Sequence, residues 1–308
     1  MLAVPYVHTV FTLPHQLNGL ARKNKNEIYS LILKVSWLTI KQICKEPDHL
    51  GATPGMISVL HTFGSDMNYH IHVHSLVTFG GLNNQGNWVY PKDKHKLCRY
   101  RQICSLYKKI FLKELKQLYQ NGKINYHLNF EEIENELLKI RWVVHQTRPT
   151  MDTAIIENYL ARYINRIAIS PNRIKYIKES QQVNVLYNDY KNQQSGQAAP
   201  KEIKTLQPLT AIGQILQHVL PAYFQKSRSY GLHNGSSKLK NNIQDLLKRN
   251  GRTVRTILEI ITDLLKTQIN YCEICGSKQF FINQINPDKL YLNQFILTNY
   301  KNKSPPTI

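Results

Sequence analysis

Residues 69–78 read YHIHVHSLVT, and this stretch decides the fold. Its three histidines, His70, His72 and His74, occupy alternate positions. Because successive side chains of a β-strand point to opposite faces, the imidazoles would line one face, while Ile71 and Val73 would enter an apolar layer. Two neutral imidazoles at positions i and i+2 of a strand can bind one divalent metal ion. The alternative is a half-exposed edge strand whose histidines bind nothing, and spacing alone does not separate the two interpretations.

The sequence around this strand alternates between strand and helix patterns. β-Branched and aromatic residues predict strands over residues 4–13, 56–63, 140–146, 173–177 and 182–187. Apolar residues at helical spacing predict helices over residues 27–45, 95–118 and 152–167. The turn at residues 64–68 makes the strand before it an antiparallel neighbour of the histidine strand. Strands interrupted by helices predict an α+β domain over residues 1–190, with one antiparallel sheet flanked by helices.

The chain beyond residue 190 has a different composition. Residues 191–208 are polar and predict a linker or loop, and residues 209–308 predict a basic helical C-terminal region. Within that region Cys272 and Cys275 form a CxxC half-knuckle. A closed structural zinc site needs four ligands, and no second pair follows in the sequence. The sequence therefore gives little support to a bound structural Zn²⁺.

The chain is strongly basic. Its 308 residues include 40 Lys and Arg against 20 Asp and Glu, which gives a formal net charge of +20. This charge indicates a polyanionic partner, most simply nucleic acid, and the alternative is an ordinary basic protein. The five cysteines are too sparse for a disulfide framework, and no segment has the roughly 20 apolar residues of a membrane helix. The N-terminus lacks a signal-peptide pattern, so the sequence predicts a cytoplasmic protein without membrane association.

Two tyrosines four residues apart mark a second candidate site. On a helix Tyr159 and Tyr163 are neighbours on one face, and Arg162 and Arg166 lie on the same side. The apolar stripe of this helix runs beside that face, so the core does not require the tyrosines. A phenol can act as a nucleophile that forms a covalent intermediate, and guanidinium groups can bind phosphate oxygens. The alternative is that both tyrosines pack at the edge of the core and both arginines are solvated.

Together these stretches resemble a known family. YHIHVHSLVTFGGL (residues 69–82) resembles the metal-binding motif of the HUH endonucleases. YLARYINRIAIS (residues 159–170) resembles the two-tyrosine motif of rolling-circle transposases of the IS-ninety-one type. Residues 8–17, 60–64 and 218–232 agree with the same family, so the resemblance extends from about residue 7 to residue 232. It implies an HUH-type antiparallel sheet flanked by helices as the catalytic domain.

The resemblance implies a metal site on the histidine strand. It places two ligands at His72 and His74 and leaves His70 at a variable position where it is not essential. A third ligand is expected nearby, with His61 as the candidate and Asp66 as its competitor. The implied ion is Mg²⁺ or Mn²⁺, acting as a Lewis acid on a phosphate group.

The implied chemistry is the nicking and rejoining of single-stranded DNA. Tyr159 or Tyr163 would attack the scissile phosphate and form a 5′-phosphotyrosine link, while Arg162 and Arg166 would bind phosphate oxygens. The DNA partners would be transposon ends and target, in the rolling-circle transposition of an insertion sequence. The protein would then act at the bacterial nucleoid, and its oligomeric state is not predicted.

The main alternative is a catalytically inactive, truncated copy that acts only as a DNA-binding protein. Members of the family usually begin with a cysteine-rich zinc-binding region, whereas this chain starts almost at the first catalytic strand. This difference puts independent recognition of transposon ends in doubt, more than the cleavage chemistry. A zinc-dependent hydrolase is a third interpretation, and it is disfavoured because no Glu or Asp base accompanies the histidines.

Overall fold

The histidine strand is the longest strand that the structure describes, with 14 residues, and it lies inside an antiparallel sheet. The computed structural model describes residues 2, 4–125, 129–151, 169–190, 192–194, 197–234, 241–243 and 245–247. In chain order the strands are β1 (Tyr6–Thr12), β2 (Thr53–Phe63), β3 (Tyr69–Leu82), β4 (Trp88–Val89), β5 (Val144–Gln146), β6 (Ile174–Ile177), β7 (Gln182–Asn188), β8 (Lys201–Leu206) and β9 (Ser227–Gly231). The helices are α1 (Asn18–Lys23), α2 (Lys25–Lys45), α3 (Tyr100–Gln120), α4 (Phe130–Lys139) and α5 (Pro208–Leu216).

In the main sheet the histidine strand, β3, lies between β1 and β2. Within the described ranges its strand order is β5–β1–β3–β2–β9, and β4 pairs with one end of β3. All of these pairings are antiparallel. The sheet and its flanking helices confirm the predicted α+β class, and β2 and β3 are the antiparallel neighbours that the sequence predicts.

One face of the main sheet forms the principal apolar core. Phe11 of β1, Val73 of β3 and Leu60 of β2 lie side by side in register and are almost fully buried. Buried apolar residues of α2 and α3 belong to the same cluster, among them Ile28, Ile32, Val35, Ile103, Phe111 and Leu115. Because side chains alternate along each strand, this packing leaves the histidines of β3 on the opposite face.

A second sheet, with strand order β6–β7–β8, packs against the turn between β2 and β3. Met67 of that turn is fully buried in a cluster with Val183 and Val185 of β7. The Ser65 hydroxyl donates a hydrogen bond to the Asn188 carbonyl oxygen at 2.6 Å, and the Arg173 guanidinium donates to the Ser65 carbonyl oxygen. These contacts fix the connection between the two strands that carry His61, His72 and His74.

Three features of the later chain differ from the sequence prediction. The described residues form two sheets rather than one, because β7 pairs with β6 on one side and with β8 on the other, and none of the three joins the main sheet. The prediction of a loop at residues 191–208 is wrong for residues 201–206, which form β8. β9 belongs to the main sheet although it falls in the region predicted as helical, residues 209–308. Both missed strands are poor in apolar residues, so their hydrophobic pattern is weak.

Two further predictions concern helices. The predicted helix 95–118 begins five residues later, at Tyr100, after an extended Arg99. The predicted helix 152–167 lies outside the described residues. No helix in the described part of the chain combines the length and the apolar character that crossing a membrane requires.

Gly231, at the end of β9, is expected to be essential for stability. Its φ of +57° lies in the left-handed region, and a Cβ there would overlap the Pro54 carbonyl oxygen and approach Trp37 to 2.6 Å. Gly231→Ala should lower the free energy of unfolding by about 2 kcal/mol or more, because backbone strain and overlap add. Gly122 is a matched control, since its φ is +64° but nothing lies within 4 Å of a Cβ. Chemical denaturation would measure both, and equal losses would contradict the packing argument.

Candidate metal centre

The strand register brings three histidines together on one face of the main sheet. His61 of β2 lies directly opposite His72 of β3, and His74 is two residues further along β3. Directly opposed residues of antiparallel strands project to the same face, as do residues i and i+2 of one strand. The sequence pattern of β3 therefore supplies two imidazoles, and its pairing with β2 supplies the third.

The three rings lie close enough to approach a single ion. The ring centroids are 5.5 Å apart for His61 and His72, and 4.8 Å apart for His74 and each of the other two rings. One ring nitrogen from each histidine lies within 4.8 Å of the others. Nitrogens that share one ion through bonds of about 2.1 Å are about 3 to 4 Å apart, so a small inward movement of the rings would suffice. The donor set and its spacing thus fit a divalent transition metal ion.

The three histidines of the cluster are largely shielded from solvent. His61 and His74 are buried, at 2% and 8% exposure, and His72 is half-buried. A neutral imidazole can give its lone pair to a metal ion. The group formed by these histidines does not include Asp66. The Asp66 carboxylate instead binds the backbone N–H and side-chain amide of Asn68 in the β2–β3 turn.

His70 differs from the other two histidines of β3. Its side chain is exposed, near the start of β3. Partial desolvation of the ring lowers the pKa of His70, and the nearby Asp66 carboxylate opposes this shift. Its backbone carbonyl oxygen lies 2.9 Å from Nδ1 of His72. That His70 is not an essential ligand stays a prediction.

A fourth histidine, His8 on β1, contacts the cluster and has no role in the sequence analysis. Its Nε2 lies 3.0 Å from Nδ1 of His74, and the two rings stack with centroids 5.2 Å apart. Burial, with a smaller contribution from His145, lowers the pKa of His8 to about 4, so the ring is neutral at pH 7. The signal in the sequence was a single histidine among the β-branched and aromatic residues of β1.

A basic cavity lies at β5, an edge strand of the main sheet. It has a volume of about 290 Å³, and its polar lining includes His95, Lys96, Tyr100, His145 and Arg148. His145 is in register with Val10 of β1, which is in register with His74. Strands are about 4.8 Å apart, so the backbone of His145, which lines the cavity, lies about 10 Å from that of His74, two strands away. We call it the β5 cavity.

The remaining predicted site residues belong to other parts of the chain. Tyr159, Tyr163, Arg162 and Arg166 lie outside the described residues, as do Cys272 and Cys275. The cysteines that are described, Cys44, Cys98 and Cys104, are all buried and unpaired by disulfides.

Comparisons with known proteins agree with the transposase resemblance. A family model described as "Putative transposase", Y2_Tnp, matches residues 55–241, which include all three histidines of the cluster. A Sinorhizobium fredii protein named "Putative transposase y4qJ" is 30% identical over 241 residues, and the match covers 75% of this chain and 59% of the relative. The transposase for insertion sequence element IS801 of Pseudomonas savastanoi pv. phaseolicola is 26% identical over 230 residues, covering 74% of this chain and 54% of its own length.

The chain therefore spans a little over half the length of these curated relatives. Among solved structures, a metal-bound complex of the conjugative relaxase TrwC with oriT DNA is 12% identical and covers 81% of this chain and 73% of its own. Its TM-score of 0.30 is below the level at which a shared fold can be inferred. The sequence matches, and not the structural likeness, assign the family, and they confirm the resemblance seen in the motifs. This chain belongs to the Y2_Tnp transposase family.

Proposed function

We propose that this protein is a transposase that nicks and rejoins single-stranded DNA through a metal-assisted 5′-phosphotyrosine intermediate. The observation that supports it most strongly is the cluster of His61, His72 and His74 on adjacent strands of one sheet face. Membership in a transposase family supplies the class of reaction. Rolling-circle transposition of an insertion sequence is the biological process that the two-tyrosine motif suggests.

His61, His72 and His74 would hold one divalent ion, which would supply Lewis-acid polarisation of the scissile phosphate. Of Mg²⁺ and Mn²⁺, the two ions that the resemblance suggests, we favour Mn²⁺. Mg²⁺ is a hard cation that takes oxygen ligands, whereas imidazole nitrogen binds first-row transition metals in increasing strength from Mn²⁺ to Cu²⁺. Zn²⁺ and Ni²⁺ are therefore expected to compete for the same three nitrogens.

Tyr159 or Tyr163 would supply the nucleophile. Its phenolic oxygen would lose its proton and form a bond to phosphorus as the bond to the leaving 3′ oxygen breaks, and that oxygen would take up one proton and depart as a 3′-hydroxyl, with no net change in protons. Arg162 and Arg166 would bind the non-bridging phosphate oxygens. The phosphotyrosine conserves the energy of the broken bond, so a 3′-hydroxyl can attack it and rejoin a strand. The second tyrosine would allow cleavage and transfer to alternate.

DNA binding would draw on the positive charge of the chain. The formal charge of +20 and the cationic side chains of the β5 cavity favour a phosphate backbone close to the histidine cluster. Tyr100, which is 42% exposed at that cavity, could stack on an unpaired base. A protein that acts in this way on DNA would work at the bacterial nucleoid.

The affinity for single-stranded DNA is expected to fall steeply with salt. Contact with about five phosphates would give a slope of about −3.5 in a plot of log K against log salt concentration. Arg148→Gln in the β5 cavity should make that slope shallower by about 0.7, because one phosphate contact is lost. Lys34→Gln is the control, since Lys34 pairs with Glu114 at 2.6 Å between α2 and α3. Equal slopes for the parent and Arg148→Gln in fluorescence anisotropy would exclude the β5 cavity from the DNA path.

An oligonucleotide cleavage assay tests the proposed function. Single-stranded DNA carrying a label at either end is incubated with the protein and Mn²⁺, then separated on a denaturing gel. The proposal requires a free 3′-hydroxyl on one fragment and protein attached to the 5′ end of the other. A free 5′-phosphate without adduct would instead favour a zinc-dependent hydrolase. Binding without any cleavage would favour an inactive copy that acts only as a DNA-binding protein.

A further inference from the structure

The two metal-ligand candidates on β3 are oriented by different kinds of partner. Nδ1 of His72 lies 2.9 Å from the His70 carbonyl oxygen. A carbonyl oxygen can only accept a hydrogen bond, so Nδ1 of His72 carries the proton and Nε2 keeps the lone pair. This orientation is provided by the backbone, and a substitution of the His70 side chain does not remove it.

His74 depends on a side chain instead. Its Nδ1 lies 3.0 Å from Nε2 of His8, which projects from β1 on the same sheet face. The rings are nearly parallel, with an interplanar angle of 20°. A neutral imidazole has one donor and one acceptor nitrogen, so one of these two nitrogens must carry the proton and the other must accept it. Which histidine donates decides which nitrogen of His74 keeps its lone pair.

We propose that His8 is a positioning residue that accepts a hydrogen bond from Nδ1 of His74 and so keeps the Nε2 lone pair of His74 available to a metal ion. This inference rests on the proposed function, because it concerns the same metal site. Histidines that ligate metals usually donate their other ring N–H to an acceptor, and loss of that acceptor typically weakens metal affinity by about 10- to 100-fold. The proposal gives His74 the same Nδ1-protonated tautomer that the backbone imposes on His72.

The alternative is that His8 only packs against His74. Two substitutions separate packing from hydrogen bonding. His8→Phe keeps an aromatic ring that can stack on His74 but has no acceptor, whereas His8→Gln loses the ring but offers an amide oxygen that can accept from Nδ1. His49→Gln is the matched control, because His49 lies in the connection between α2 and β2, 12 residues before His61 in the sequence.

The test is a titration of the metal-free, full-length protein with Mn²⁺, in which electron paramagnetic resonance measures the free ion. His8→Phe should weaken Mn²⁺ binding by about 10- to 100-fold, His8→Gln should stay within about threefold of the parent, and His49→Gln should match the parent. Long-range ¹⁵N–¹H correlation spectra of the metal-free variants report the tautomer of His74. We expect the Nδ1-protonated form in the parent and in His8→Gln, and a mixture of tautomers in His8→Phe.

The outcomes distinguish this inference from the proposed function. If the parent does not bind Mn²⁺, the proposed metal site fails, and the spectra still decide whether His8 sets the His74 tautomer. If the parent binds and His8→Phe binds equally well, His8 only packs and the inference is overturned. If His8→Phe and His8→Gln weaken Mn²⁺ binding equally and the His74 tautomer does not change, the inference is also overturned. If His8→Phe does not fold, His8→Leu provides a second variant without an acceptor.

Discussion

Replacing both Tyr159 and Tyr163 with phenylalanine is expected to eliminate the covalent protein–DNA adduct and to lower strand cleavage by about 10³-fold or more. The reason is that phenylalanine keeps the ring and its packing but removes the only oxygen that could attack phosphorus. Fold and DNA affinity should remain close to those of the parent, because the substitution removes no charge and no ring. A labelled oligonucleotide on a denaturing gel measures the adduct as a slowly migrating band.

The two single variants are the controls for this prediction. Tyr159→Phe or Tyr163→Phe alone should still allow one cleavage if the other tyrosine can reach the phosphate. Completed strand transfer should be lost in at least one of them, because the second acceptor is missing. An adduct that persists in the double variant would show that these tyrosines are structural, and the two-tyrosine interpretation would then be wrong.

His72→Ala and His74→Ala are each expected to abolish detectable metal binding and to lower cleavage by about 10²-fold or more. Each removes one of three imidazoles whose ring nitrogens lie within 4.8 Å of one another. Two remaining imidazoles would bind a divalent ion weakly, and the polarisation of the scissile phosphate would be lost with the ion. Calorimetric titration with Mn²⁺ measures the first effect, and the denaturing gel measures the second.

His70→Ala is the comparison on the same strand. The His70 side chain is exposed, and the group that orients His72 is the His70 carbonyl oxygen, which alanine retains. Its effect on both measurements should therefore be much smaller than that of His72→Ala. A His70→Ala variant as defective as His72→Ala would contradict the placement of the ion on His61, His72 and His74.

The sequence predicts the strand that carries the site better than it predicts the site's surroundings. Alternation along β3 is a property of adjacent residues, so the shared face of His72 and His74 follows from the sequence directly. The β2–β3 hairpin is also local, because only the short turn around Met67 separates its strands. The family resemblance selected His61 as the candidate third ligand. The strand register sets His61 directly opposite His72.

The contact between His8 and His74 could not be read from the sequence in the same way. The two residues are 66 positions apart, and their contact exists only because β1 pairs with the far side of β3. β9 was missed for a similar reason, since its residues 227–231 owe their strand conformation to pairing with β2 and not to an apolar pattern of their own. Long-range pairing of this kind depends on the whole sheet, and a local pattern does not encode it.

The metal dependence of adduct formation tests the central claim most directly. Parent protein is freed of metal with a chelator, mixed with labelled single-stranded DNA, and divided into samples with Mn²⁺ and with excess chelator. The account predicts a slow adduct band with Mn²⁺, its absence in chelator, and its absence in His74→Ala under both conditions. An adduct band of full intensity in excess chelator would contradict the claim that His61, His72 and His74 bind an ion required for cleavage.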